Sequence, residues 1–260
     1  MTARDYIDTL ASKGVAWFTL QSFAEGQQVS AEAARRALGR LKKQRRVISI
    51  YPEFFVIVPP DYRETGTVPA SWFIDPLMNC LSKNYYVSLL SAAQLHGAAH
   101  QAPMVFQVML EQPQKPIREK NLTVQFYVRS NAGSMPTVKI QSPTGYFFCA
   151  TPETTAFDLI GYANRIAGLN NVATVLSELR EVLDAEKLLK LTTFSPKTWT
   201  QRLGFMLDFL DAQELTEGLF EMVEQWRVTP TALNPSTLTK GAPRDGKWNV
   251  IVNQKLEPDI

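Results

Sequence analysis

Apolar and polar positions along the chain fall into three textures. In the first, Tyr6, Ile7 and Leu10 recur at helical spacing and predict a helix that ends at Gly14. Thr19 is a good N-cap for a short second helix carrying Leu20, Phe23 and Ala24, which stops at Gly26. Ser30 caps a third helix from Ala31 to about Arg45, rich in Ala and Leu. Val47–Tyr51 and residues 54–58 then read as two strands joined at Pro52-Glu53. Pro59-Pro60-Asp61 can continue neither a strand nor a helix, and it closes this region.

The second texture covers roughly residues 69–149. Two helical segments, one with Trp72, Phe73, Leu77 and Leu81 and one with Leu89, Leu90, Ala93 and Leu95, precede strand-like runs at 105–110, 122–128, 137–141 and 146–149. The connections are short and rich in Pro, Gly and Asn, which favours antiparallel pairing over crossover units. The third texture is helical. Thr151-Pro152-Glu153 supplies an N-cap, a Pro at the first helical position and an early acid. Helices are predicted over 152–167, 171–190, 196–211 and 214–227, followed by an extended tail with one strand-like run at 248–253. The expected fold is α+β: a winged helix-turn-helix over residues 1–62, then a larger mixed domain over 69–260. Within the latter, a mostly antiparallel sheet occupies about 69–149, a helical part about 150–230 and the tail 231–260.

Charge sharpens the picture. The net charge of +2 on 260 residues is uninformative, but residues 1–63 hold ten basic and six acidic side chains. Ser30 to Arg46 alone hold seven basic residues and one acid, Glu32. On the third helix Ala34, Leu38 and Leu41 fall on one side at 100° per residue, while Glu32, Arg36, Gly39, Arg40 and Lys43 fall opposite. Arg35, Lys42 and Arg46 flank that face. Helix, basic helix and two-stranded hairpin follow in the order of a winged helix-turn-helix, whose second helix enters the major groove of double-stranded DNA. Candidate DNA-binding residues are the caps Thr19 and Ser30 with Arg35, Arg36, Arg40, Lys42, Lys43, Arg45 and Arg46, the last two placed for phosphates. A solvated helix face or a protein–protein module are the competing readings, though a solvating face usually mixes signs.

Other candidates are weaker. Cys80 and Cys149 make no disulfide framework or metal cluster and read as small buried apolar side chains. Asp5 and Asp8 interrupt the apolar run a signal peptide needs, and no stretch approaches the ~18 consecutive apolar residues that span a bilayer. A cytoplasmic protein with no membrane partner is expected. His96 and His100 stand at i, i+4 but lack a third ligand, and Gly97 weakens the helix between them. Residues 241–247 match phosphate-loop spacing with Trp248 where Ser or Thr should be, and a strand-like run follows where a helix is needed. Asp245-Gly246-Lys247 offers a nuclease-like acid-x-lysine fragment without a companion acid. No catalytic residue, metal or cofactor is assigned.

Several segments together resemble a known family. They are Ala37-Leu38-Gly39-Arg40-Leu41, then residues 85–97 (YYVSLLSAAQLHG), then 150–159 (ATPETTAFDL), then Arg202-Leu203-Gly204, Trp248-Asn249 and Val252-Asn253. In this order they resemble the AbiEi antitoxins of type IV toxin–antitoxin and phage abortive-infection systems. One departure is the turn Pro52-Glu53-Phe54, where a Gly-containing wing tip is expected. The resemblance implies a winged helix that binds inverted repeats in its own promoter as a repressor. It also implies a C-terminal domain that counteracts a nucleotidyltransferase-like toxin, with no stable complex assumed. The alternative is a metal-dependent nuclease or nucleotide-modifying enzyme delivered to nucleic acid by the winged helix. Its nearest candidate acids are Glu153, Asp158, Glu257 and Asp259.

Overall fold

The computed structural model of the protein describes residues 1–98, 104–166 and 168–259, and its contacts divide the chain into two units. The first comprises Met1–Tyr86, Met104–Gly133 and Lys139–Phe148, and the second Val87–Pro103, Ser134–Val138 and Cys149–Ile260.

The first unit opens with α1 (Ala3–Ser12), β1 (Trp17–Thr19), α2 (Leu20–Gln27), α3 (Ala31–Lys43), β2 (Val47–Tyr51) and β3 (Phe54–Ile57). The strands form a small antiparallel sheet in the order β1-β3-β2. Ile7, Phe18, Leu20, Phe23, Ala34, Leu38, Leu41, Val47 and Ile57 share one core beneath the three helices. This is the helix order and wing expected from the sequence, with β1 added. Three residues are too few to show a period, and Trp17–Thr19 is a strand only because it pairs with β3 from Trp17↔Val56 to Thr19↔Phe54. Nor does α2 stop at Gly26. The helix runs on to Gln27, with Gln28 left-handed after it. Gly26 is present because a Cβ there would collide with the Tyr6 hydroxyl of α1.

The end of α3 also differs from expectation. Gln44 is the C-cap, the Arg45 amide bonds to Lys42 O at 2.9 Å and the Arg46 amide to Leu41 O at 3.0 Å. These two bonds are a Schellman stop, with Arg45 in the left-handed position usually held by Gly. The residue after such a stop turns back toward the helix. Arg46 is accordingly buried, at 8% exposure, and its guanidinium donates to Asp8 Oδ1 of α1 at 2.8 Å.

After α4 (Ile74–Cys80) a six-stranded sheet is built from β4 (Tyr85–Val87), β5 (Phe106–Leu110), β6 (Ile117–Glu119), β7 (Leu122–Val128), β8 (Thr137–Ser142) and β9 (Gly145–Ala150). Its order is β6-β7-β5-β4-β9-β8. α5 (Leu89–Leu95) follows β4. The sheet is mixed. β6 pairs antiparallel with β7, but β5 pairs parallel with β7 and β4 with β9. Short connections did not exclude parallel pairing at β5, because β6 is itself the return leg, running back at the sheet edge before β7 enters between them.

The second unit is organised on α6 (Pro152–Ile166), buried on nearly every side, with α7 (Gly168–Leu179), α8 (Ala185–Leu191), α9 (Lys197–Phe209) and α10 (Glu217–Gln225). The single helix expected over 171–190 is two, because Leu183 is extended and Asp184 starts α8 by accepting from the Lys187 amide at 3.0 Å. The tail contributes β10 (Thr231–Ala232), β11 (Arg244–Asp245) and β12 (Val250–Ile251), a small sheet against α9. Trp248 anchors it. The indole is buried on Gly204 of α9, where a Cβ would overlap the ring, and its Nε1 donates to Asp208 Oδ2 at 2.7 Å. Gln201 Nε2, one helical turn earlier, donates to the carbonyls of Thr229, Trp248 and Asn249. Asp208 also accepts from Lys247 Nζ at 2.6 Å and Thr216 Oγ1 at 2.7 Å. Burial alone would raise its carboxyl, but these three donors together hold it below the ordinary Asp value.

Two stability measurements follow from these contacts. Arg46→Met keeps an apolar stem and deletes the charge, so it is expected to cost about 1–2 kcal/mol in urea unfolding. Adding Asp8→Asn to it should then cost little more, and an unchanged midpoint in the single variant would show that the Arg46–Asp8 ion pair contributes nothing. Asp208→Asn is expected to cost about 2 kcal/mol at pH 7. Because the folded-state value is lowered, this stability is complete above the ordinary Asp value of 3.8 and is lost as pH falls through the folded value. The gap between natural and variant protein should therefore narrow in acid, and a gap that widened below pH ~4 would contradict the assignment.

Candidate nucleic-acid interface

The basic helix is positioned by its own apolar stripe. Ala34, Leu38 and Leu41 are buried in the core of the first unit, so residues on the opposite side of α3 face solvent. Ser30 Oγ starts the helix by accepting from the Ala33 amide at 3.2 Å. Thr19 does the same for α2, with Ser22 completing a reciprocal capping box. Both hydroxyls thus hold helix starts. At the other end of α3, Arg40, Lys42 and Lys43 occupy the last turn, where positive charge suits the helix dipole.

The seven cations then sort by partner. Arg35 reaches Glu53 Oε1 at 3.0 Å, and Arg36 reaches Glu32 Oε1 at 3.1 Å, both pairs exposed. Arg45 donates to the carbonyls of Arg63 and Glu64, at 3.4 and 2.9 Å. Arg46 is turned inward onto Asp8, a structural role in place of the phosphate contact expected of it. Arg40, Lys42 and Lys43 are exposed, and among the described residues their side chains have no ion-pair or hydrogen-bond partner. The structure therefore separates three free cations from two that are neutralised by acids and two that are bound into the fold.

The wing is short and carries no cation between Val47 and Val58. Its turn is Pro52-Glu53, with Glu53 left-handed at φ 61°, the conformation that a Gly at this tip would have adopted without strain. Two bonds offset that strain. The Glu53 carbonyl accepts from the Leu20 amide at 2.8 Å, and its carboxylate holds Arg35. Glu53 thus joins the wing tip to the starts of both α2 and α3. Nothing in the sequence points to this role, since the partners are 18 and 33 residues away until the hairpin folds back.

The remaining candidates are placed separately by the fold. His96 is the C-cap of α5 and its Nε2 donates to Ala150 O at 2.7 Å. Gly97 then takes φ +81°, which ends the helix, while His100 lies outside the described residues. Asp245 Oδ1 accepts from the Trp248 amide, and Lys247 is held by Asp208. Glu153 is buried, with one carboxylate oxygen on the Asp184 amide, and Asp158 is buried on the same helix. Glu257 pairs with Lys255 at the surface, and the Asp259 amide bonds to Thr174. Among the described residues no three His, Cys, Asp or Glu side chains stand together as metal ligands. Cys149 is buried and its thiol is pushed up to about 12 by desolvation. Cys80, expected to be buried, is exposed at the end of α4. No described helix is long and apolar enough to cross a membrane.

Comparison with known proteins bears on the fold and on the second half of the chain. The crystal structure of the RV2827C protein from Mycobacterium tuberculosis is similar, with a TM-score of 0.67 over 95% of this chain and 90% of that one. At 14% identity that likeness shows a shared fold. No curated protein matches the chain. Residues 86–209 match the AbiEi antitoxin C-terminal domain, which begins at β4 and ends with α9. This stretch of the chain is thus similar to the C-terminal domain of AbiEi antitoxins.

Proposed function

We propose that the chain is a DNA-binding antitoxin, which represses its own toxin–antitoxin operon through the winged helix and neutralises a nucleotidyltransferase-like toxin through the C-terminal domain. The similarity of residues 86–209 to the AbiEi antitoxin C-terminal domain supports the antitoxin role. The observation that carries the DNA half is the set of three unpartnered cations, Arg40, Lys42 and Lys43, on the solvent side of a helix whose other side is locked in a core. A helix end with this charge is suited to phosphates in or beside the major groove. Arg35 and Arg36 are held by Glu53 and Glu32, which keeps their guanidinium planes oriented and makes indiscriminate phosphate binding less favourable. Such oriented arginines are suited to guanine edges. The wing supplies shape and no positive charge.

On this reading, anisotropy titrations against the duplex upstream of its own gene should show specific binding that weakens with salt, and a scrambled duplex should bind less tightly. Arg40→Ala should lower affinity for both duplexes and reduce the salt slope by about one unit. Arg36→Ala should instead cost ~1–3 kcal/mol of discrimination between the two. If both variants bind as the natural protein does, α3 is not the recognition helix. A double variant, Arg40→Ala with Lys43→Ala, is expected to lose repression of a reporter while still relieving toxicity on co-expression with the companion toxin. Loss of both functions in a folded variant would contradict the division of labour.

A further inference from the structure

Among the described residues five glycines stand inside α-helices beyond the first position, and four are explained by packing. Gly26 of α2 leaves room for the Tyr6 hydroxyl, Gly161 of α6 for the Trp199 ring and Gly204 of α9 for the Trp248 ring. Gly218 of α10 lies against Leu189, 3.3 Å from where its Cβ would be. The fifth, Gly39, is different. A Cβ there would meet nothing within 4 Å, and the backbone has no positive φ that would need a glycine. It is at neither end of α3, so it caps nothing. Glycine at an exposed mid-helix position lowers helix stability relative to alanine, and here no contact among the described residues offsets that loss.

Its neighbours show what the vacancy faces. Arg35 and Arg36 lie one turn before Gly39 on the helix surface, Lys42 and Lys43 one turn after, and Arg40 beside it. All five are exposed. A bare stretch of helix backbone is thus at the centre of a surface of five exposed cations. Resting on the DNA-binding reading above, we infer that Gly39 is where double-stranded DNA approaches α3 more closely than a side chain would allow. The bare backbone lets the helix sink into the groove, and the surrounding arginines and lysines reach phosphates and base edges on either side. The glycine is a positioning residue: it contributes no charge and sets the depth at which the others engage.

The test uses the full chain and a labelled duplex carrying the sequence upstream of its gene. Gly39→Ala and Gly39→Gln should both fold and melt about 2–4 °C above the natural protein, since each restores helix propensity without meeting a neighbour. Gly39→Gln should bind the duplex on the order of tenfold more weakly, as expected for overpacking at a close contact, and Gly39→Ala by less. Because no cation is removed, the salt slope should stay that of the natural protein, in contrast to Arg40→Ala. Undiminished binding by Gly39→Gln, alongside normal binding by the natural protein, overturns this inference and leaves the repressor reading intact. A lower melting temperature in both variants overturns it as well, by showing that the glycine serves the fold. Failure of the natural protein to prefer its upstream duplex overturns the DNA reading, and this inference with it.

Discussion

A thirteen-residue helix in a small core can bury only one stripe, and that constraint on α3 shapes the whole N-terminal part of the chain. Ala34, Leu38 and Leu41 must pack against Phe18, Phe23 and Val47, so the rotation of the helix about its axis is settled by apolar burial. Every cation on the other side is then displayed without any contact having to hold it there. The Schellman stop at Gln44–Arg46 completes the arrangement. It ends the helix, swings Arg46 down onto Asp8 and sends the chain into the wing. Seven cations that look equivalent in one dimension thus acquire different roles between Arg35 and Arg46.

The second unit depends on a comparable lock, made of one large side chain and one absent one. Trp248 fits only because residue 204 has no side chain, and Asp208 and Gln201 of the same helix then take up its indole N–H and the neighbouring carbonyls. Asn253 continues the pattern with bonds to the Asn234 and Thr237 carbonyls, and Arg202 with bonds to Thr231 and Ala232. The family-like residues Arg202, Gly204, Trp248, Asn249 and Asn253 are therefore a fastening between α9 and the tail. The same holds at Thr151-Pro152, where the threonine hydroxyl accepts from the Thr154 amide and the proline occupies the first position of α6. The C-terminal motifs that carry the resemblance thus encode packing, which is why no chemistry could be read from them.

Legibility followed locality. α1, α3, β2 and β7 were recognisable because caps, stops and periodicity act within a few residues. The short strands β1, β4 and β6 were not, since each exists only through a partner distant in sequence. Within the candidate interface the outward side of α3 was predictable from the 3.6-residue period. The pairing of Arg35 with Glu53, the inward turn of Arg46 and the exposure of Cys80 were not. Each of these is decided by what another element places nearby.

By itself the sequence determined the α+β class, most of the N-terminal helices and the hairpin after them, and the existence of a concentrated cationic face, because these depend on composition and short-range spacing. Only the tertiary structure decided which cations are free, that the sheet is mixed, that residues 171–190 form two helices, and that Gly39, inside α3, faces open space. The physical reason is the same in each case. Burial and pairing are properties of residues brought together from separate parts of the chain, and one-dimensional periodicity carries no information about which parts those are.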